Sequence, residues 1–354
     1  MSLRVGIPTE IKPLEGRVAL TPDAVADIVS GGVEVGIQRG AGQGSGYTDD
    51  AYTAVGAQLL DDAAALYAWA QLVVKVKEPV GDEVDLLRPD HLLFCFLHLA
   101  ANPELTARLC DIGLTAVAFE TVADQGRLPI LVPMSDIAGR LAVQVGAQLL
   151  HTPQGGRGIL LGGLASVERG NVVVLGAGHA GGASVRAAAA MGANVTVFDR
   201  NPLQLERMFA VGPNVTARVP TDAALSRAVA DADLLVGAVL LPGAAAPRLV
   251  SREQVASMRP GSVIADIAVD QGGCIATTRA TSYRDPTYVE EGVVHFCVTN
   301  MPGAVPRSAT QALTAAMLPY LRRLLGQDWR EDACLRDAIN VDRGRVVHPA
   351  LRNT

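Results

Sequence analysis

The chain has 354 residues, enough for two domains that each bury a core, and is 49% hydrophobic but only 4% aromatic. Thirty Lys and Arg against 36 Asp and Glu leave a net charge of −6, which argues against non-specific nucleic-acid binding. No block of like charge forms an acidic or basic tail.

The N-terminus, Met1-Ser2-Leu3-Arg4-Val5-Gly6-Ile7-Pro8, enters a first strand at Arg4–Ile7 without a signal-peptide apolar region. The loop behind it, Thr9-Glu-Ile-Lys-Pro-Leu-Glu-Gly-Arg17, carries the first candidate cation. Further strands are predicted at Val33–Ile37, Leu72–Val76, Leu92–Leu97 and Thr115–Phe119, with Ala/Leu-rich helical stretches between them. Lys75 and Lys77 stand at the end of the third strand, and His98 closes the fourth. Charges or prolines interrupt each apolar run before it reaches membrane-spanning length, so a cytoplasmic protein is expected.

A domain boundary is predicted at Leu128–Pro133, followed by a long helix from Ser135 to Leu150 with Ser135 or Asp136 as its cap. A glycine-dense loop (Gly155 to Gly163) leads to an apolar strand at Asn171–Leu175, then Gly176-Ala-Gly-His-Ala-Gly181, then an alanine-rich helix from Ala183 to Met191. Strands at Asn194–Phe198, Leu234–Gly237 and Ser262–Ile267 continue the alternation. A second boundary falls near Asn300-Met-Pro-Gly303, before a helix from Ser308 to Leu325 in which Pro319 is expected to give a kink or break. The βαβα rhythm predicts an α/β protein with two Rossmann-like domains and doubly wound, mainly parallel sheets. Residues 1–130 with 305–354 form the expected substrate domain, and 131–304 the expected dinucleotide domain.

The strand-glycine-helix order at Gly176, Gly178 and Gly181 suits a dinucleotide, because glycines permit the tight turn and the helix N-terminus offers N–H groups to phosphates. Asp199 ends the next strand, roughly 20 residues on, where a carboxylate binds ribose hydroxyls and favours NAD over NADP. Arg200 leaves the 2′-phosphate alternative open. His179 and Ala180 occupy variable loop positions, and His179 reads as phosphate-facing or exposed rather than catalytic. For a 2-oxo or 2-amino acid, Arg17, Lys75 and Lys77 are candidate carboxylate ligands, although each alone reads more simply as a surface charge. His98 suits proton transfer, or else a hydrogen-bonded core site. Asp266 and Asp270 both qualify as acids at a strand end, and spacing does not choose between them. The five cysteines (Cys95, Cys110, Cys274, Cys297, Cys334) form no CxxC pair, so no metal site or disulfide framework is expected.

Taken together, these motifs resemble the alanine dehydrogenase family. The resemblance is carried by Gly6-Ile-Pro-Thr-Glu-Ile-Lys12, Arg17-Val-Ala-Leu-Thr-Pro22, Lys75-Val-Lys-Glu-Pro79 and Leu97-His-Leu-Ala100. It continues through Pro133-Met-Ser-Asp-Ile-Ala-Gly-Arg140, Gly155-Gly-Arg-Gly158, Gly237-Ala-Val-Leu-Leu-Pro-Gly243, Asp270-Gln-Gly-Gly-Cys274 and Ala304-Val-Pro306. It implies Arg17 and Lys77 as substrate ligands, His98 and Asp270 as the acid/base pair, and Lys75 in a supporting role. Expected cofactor contacts are Ser135, Gly176, Gly178, His179, Ala180, Gly181, Asp199, Val239, Leu240, Ile267, Asp270, Arg279, Val298, Asn300 and Met301. The implied reaction is NAD-dependent oxidative deamination of L-alanine to pyruvate and ammonia, and its reverse, in a homo-oligomer expected to be a hexamer. Domain closure is expected to bring His98 and Asp270 together.

The chain departs from the family at Gly162-Gly-Leu-Ala-Ser-Val167, which lacks a proline-glycine pair, and at Gln204, where a basic residue is common. It also stops at Thr354, short of typical members. The alternatives are a dehydrogenase for another small 2-amino acid, the soluble dinucleotide-binding subunit of a transhydrogenase, and a nucleotide-binding sensor without turnover.

Overall fold

The computed structural model describes residues 3–239 and 246–351. Leu240, one of the expected cofactor contacts, lies outside the described residues. The chain divides into two compact units, one built from residues up to Met134 and from Gly303 onward, the other from Ser135 to Pro302. The divides predicted at 130/131 and 304/305 thus fall at 134/135 and 302/303. Physically, the first turn of the connecting helix belongs with unit 1, where Met134 Sδ accepts a hydrogen bond from Arg17.

Strands of unit 1 are β1 (Val5–Ile7), β2 (Val35–Gln38), β3 (Gln58–Leu60), β4 (Leu72–Val74), β5 (Leu92–Cys95) and β6 (Thr115–Ala118). Unit 2 contains β7 (Asn171–Leu175), β8 (Asn194–Phe198), β9 (Val215–Arg218), β10 (Leu234–Gly237), β11 (Val263–Asp266), β12 (Thr287–Glu290) and β13 (Val293–Phe296). The returning segment adds β14 (Ile339–Asp342) and β15 (Arg345–Val346) to unit 1.

The first sheet runs β15-β14-β6-β5-β4-β1-β2-β3, and the second β12-β13-β11-β10-β7-β8-β9. Pairings are parallel except for the edge additions β14, β15 and β12. Each sheet is therefore doubly wound. The strand order reverses beside its first strand, opening a crevice between β1 and β4 in one unit and between β7 and β10 in the other. Central strands such as β1, β4, β5, β10 and β11 are buried along their whole length, as expected where helices cover both faces.

Predicted and observed elements differ at several places. Helix Val132–Leu149 begins before Ser135, with Pro133 in its first turn, so neither Ser135 nor Asp136 caps it. Helix Pro306–Leu324 runs unbroken through Pro319 and starts at its own proline rather than at Ser308. Strand β13 goes unread in the sequence because His295 interrupts its apolar run. That ring is fully buried and is satisfied by Thr277 Oγ1 at 2.7 Å and the Val293 carbonyl at 2.9 Å. The polar, partly exposed edge strands β3, β9 and β12 give no clear period-two signal either.

One face of the long helix Val132–Leu149 packs within the chain. Gly139 and Gly146, two turns apart, bring that face against unit 2's own elements. A Cβ at Gly139 would stand 2.0 Å from the Ala180 carbonyl oxygen, and one at Gly146 would stand 2.6 Å from Leu234. Ser184 Oγ donates to the Gly139 carbonyl at 2.9 Å across the same contact. A methyl group here must push the two helices apart. Gly139→Ala is expected to cost about 1–3 kcal/mol as overpacking, read as a drop in the calorimetric melting temperature. An unchanged melting temperature would show that this contact is not tight.

Candidate functional site

In unit 1 the chemistry-bearing residues collect at the carboxyl edges of three adjacent strands. Arg17 follows β1, Lys77 follows β4 and His98 follows β5, so the first two flank the crevice where strand order reverses. Arg17 is no surface charge: it is only 2% exposed. Its Nε and Nη2 donate to the two Glu15 carboxylate oxygens at 2.7 and 2.5 Å, and its Nη1 donates to Met134 Sδ at 3.1 Å. This bidentate fork fixes the plane of the guanidinium.

Lys77 is half-buried, and its ammonium has no ion-pair partner among the described residues. Burial pushes its pKa below the ordinary lysine value, and the Arg17 charge pushes it further in the same direction. A partly buried ammonium beside the Arg17 charge forms a place for an anion. Lys75, by contrast, is fully buried and ion-paired with Glu83 at 2.6 Å and Glu10 at 3.5 Å. Two residues apart, Lys75 and Lys77 would share a strand face. The strand ends at Val74, however, and the backbone turns before Lys77.

His98 is exposed, not a core histidine. Its backbone is left-handed (φ 49°), a region where histidine is enriched among non-glycine residues. The ring stacks on Phe96 with centroids 5.8 Å apart and planes within 3°. Glu120 holds the turn: it accepts from His98 N at 2.6 Å and from Leu97 N at 3.2 Å, and Oε1 lies 4.0 Å from His98 Nδ1.

In unit 2, Gly176, Gly178 and Gly181 form the turn between β7 and helix His179–Ala190. Gly176 has φ +92°, and a Cβ at Gly181 would stand 1.8 Å from the Gly176 oxygen. A Cβ at Gly178 would meet no atom within 4 Å, and no side chain caps the helix there. Open space before uncapped N–H groups is what a pyrophosphate requires, so these residues fit a dinucleotide. His179 is exposed at the first position of this helix, and Ala180 follows it. Asp199, after β8, accepts from Ala177 N at 2.6 Å and Asn201 N at 2.8 Å, which ties the carboxylate to the glycine turn.

Val239 after β10, Ile267 and Asp270 after β11, and Val298, Asn300 and Met301 after β13 share the same sheet edge. Val298 and Met301 are buried, and the Met301 carbonyl accepts from the Tyr283 hydroxyl at 2.8 Å. Asn300 is left-handed (φ 60°). Arg279 is exposed and lies over the Tyr288 ring at 3.9 Å. Ser135 sits one helical turn before Gly139, the residue that abuts Ala180.

The structure separates the two aspartates that spacing left open. Asp266 is fully buried and accepts from Ala268 N at 3.0 Å, Cys274 N at 3.0 Å and Thr278 Oγ1 at 2.7 Å. Burial raises its pKa while these bonds pull it back down. Its role is to hold the loop. Asp270 is exposed in the 3₁₀ turn Ile267–Gln271 that this loop presents.

Residues missed in the sequence are the carboxylates around the cations: Glu10, Glu15, Glu83 and Glu120. Glu120 alone carried a readable signal, standing just past a predicted strand as His98 does. Among the described residues no group of three or more His, Cys, Asp or Glu side chains could hold a metal.

Residues 6–138 match the N-terminal domain of the alanine dehydrogenase/PNT family, and residues 142–349 its C-terminal domain. Alanine dehydrogenase of Mycobacterium tuberculosis is 50% identical over 348 residues, covering 98% of this chain and 93% of the relative. That of Halomonas elongata is 45% identical over 355 residues, covering 99% and 96%. Among solved structures, an L-alanine dehydrogenase superposes with TM-score 0.96 at 47% identity, covering 99% of this chain and 98% of that one. A transhydrogenase from Sinorhizobium meliloti gives TM-score 0.85 at 29% identity, covering 98% and 99%.

The two aspartates are separable by experiment. Asp266→Asn keeps one acceptor oxygen and loses the charge, and is expected to cost about 2 kcal/mol of stability. Asp270→Asn is expected to leave the melting temperature unchanged. The reverse ranking in thermal denaturation would exchange their roles.

Proposed function

We propose, for a chain that belongs to the alanine dehydrogenase/PNT family, that it catalyses L-alanine + NAD⁺ + water to pyruvate, ammonium, NADH and a proton, and the reverse. The observation that carries this reading is the placing of two cations at the β1/β4 crevice, Arg17 held in plane by Glu15 and Lys77 with no ion-pair partner among the described residues.

Arg17, held in plane by Glu15, takes the substrate carboxylate. Lys77 polarises the 2-oxo oxygen, where its low-dielectric setting strengthens each interaction. His98 donates a proton to the carbinolamine hydroxyl so that it leaves as water, and takes it back in the other direction. Asp270 is the second residue assigned to proton transfer. Bound NADH supplies the hydride to C2 of the imine formed from pyruvate and ammonia. The turn Gly176–Gly181 binds the pyrophosphate through its backbone, and Asp199 accepts the ribose hydroxyls with the lone pairs that Ala177 and Asn201 leave. A 2′-phosphate would meet the Asp199 charge, which favours NAD; the exposed Arg200 beside it makes NADPH the control to run.

Ser135, Arg279, Asn300 and Met301 complete the cofactor contacts. The reading includes a homo-oligomer, expected as a hexamer, in the cytoplasm. Among the described residues no helix is long and apolar enough to cross a membrane.

The direct assay is NADH oxidation with pyruvate and ammonium, run beside other 2-oxo acids and NADPH. Turnover with pyruvate well above the other acids is expected, and none at all would overturn the reading. His98→Ala is expected to lower kcat by about 10²–10⁴ while NADH affinity survives. Near-normal turnover in that variant would remove His98 from the chemistry.

The lowered Lys77 pKa sets the sign of a pH effect. The protonated form grips the anion, and it is lost as pH rises through a value below the ordinary 10.5. Pyruvate affinity of the NADH complex, followed by fluorescence, should therefore weaken on the alkaline side sooner than an ordinary lysine allows. Lys77→Arg should abolish that limb, because guanidinium stays charged.

A further inference from the structure

The buried cluster behind Lys77 has no part in the reaction as derived. Lys75, fully buried, is flanked by Glu10 and Glu83. Glu83 is further satisfied by the Tyr67 hydroxyl at 3.2 Å and Val80 N at 3.2 Å. Buried ion pairs are weak contributors to stability, since desolvation offsets most of their attraction. The geometry of Glu10 points elsewhere.

In a regular strand, successive N–H groups point to opposite sides. Lys75 N follows that rule and donates to the Phe94 carbonyl of β5 at 3.2 Å. Val76 N points the other way, toward the β1 side, where β1 has already ended at Ile7. Glu10 takes the place of the missing strand: its Oε1 accepts from Val76 N at 2.6 Å. Lys77 N should then swing back toward β5. Instead it donates to Oε2 of the same carboxylate at 3.2 Å.

Two consecutive N–H groups on one carboxylate mean that the backbone has left the alternating conformation between Val76 and Lys77. Each oxygen of the carboxylate takes one of these N–H groups, and together they hold that turn. Lys75 Nζ, 3.5 Å from Oε2, anchors the carboxylate from behind, and the Lys12–Glu78 ion pair ties the same two loops together just beyond.

We propose that Glu10 is a positioning residue for substrate binding: its carboxylate, anchored by Lys75, holds the turn that aims Lys77 into the β1/β4 crevice. This rests on the reading of Lys77 as a substrate ligand. Glutamine at position 10 offers one oxygen and sets its amide against the other N–H, donor to donor. Aspartate keeps the charge beside Lys75 but is too short to reach both groups.

Glu10→Gln, Glu10→Asp and Lys77→Ala are compared for pyruvate KM, kcat, NADH dissociation constant and melting temperature. Both Glu10 variants should raise pyruvate KM about tenfold or more, with kcat changed less and NADH binding unchanged. If Glu10→Gln does not fold, Glu10→Asp carries the comparison, because it leaves the buried charge in place. A lowered melting temperature with pyruvate KM unchanged would make Glu10 a structural clip and overturn the inference. If Lys77→Ala raises KM and neither Glu10 variant does, the positioning role fails and the substrate site stands. If Lys77→Ala itself leaves KM unchanged, the substrate reading of Lys77 fails and the role of Glu10 falls with it.

Discussion

Arg17 and Lys77 repel one another, and unit 1 is arranged to hold them side by side nonetheless. Burial removes the water that would screen them, which is why the Lys77 ammonium is disfavoured and why the pair suits the anion proposed for it. Glu15 takes up one partner in a bidentate ion pair and fixes the plane of its guanidinium, while Lys77 keeps no ion-pair partner among the described residues. The crevice between β1 and β4 supplies the position: two adjacent strands end there and their loops diverge in opposite directions.

Unit 2 solves the complementary problem with backbone rather than side-chain charge. Gly181 lies so close to Gly176 that no side chain fits, and that approach leaves the first turn of the following helix facing open space at Gly178. A dinucleotide's phosphates need partial positive charge spread over several N–H groups, which an uncapped helix start provides. The same close packing recurs where Gly139 meets Ala180, so the helix proposed to face phosphate is itself held by the helix connecting the units. Rigidity at the cofactor turn thus depends on a glycine far from it in sequence.

The sequence made the architecture legible because parallel strands buried on both faces are unbroken apolar runs, as at β7 and β10. It failed where a strand departs from that pattern: at β13, where a buried His295 interrupts the run, and at the exposed edges β3, β9 and β12. Site residues showed a parallel split. Arg17, Lys77 and His98 were visible as polar residues at strand ends. Their burial and pairing were not, because the partners of Arg17 and Lys75 come from loops whose spacing obeys no period. Asp266 and Asp270 looked equivalent in sequence; full burial and three converging donors mark Asp266 as a loop anchor, while Asp270 is exposed.

Four acidic side chains share one task that sequence reading assigned to none of them. Glu10 grips the amides of Val76 and Lys77, Glu120 those of Leu97 and His98, Asp199 those of Ala177 and Asn201, and Asp266 those of Ala268 and Cys274. Each stands where a parallel strand becomes a loop and the next strand no longer supplies carbonyl acceptors. Orphaned N–H groups at such ends must find partners, and a carboxylate with two oxygens serves two at once. These bonds fix backbone turns that chain entropy would otherwise leave loose, and those turns carry the residues proposed for binding and proton transfer. A carboxylate at a strand end is therefore as much a scaffold as a candidate acid.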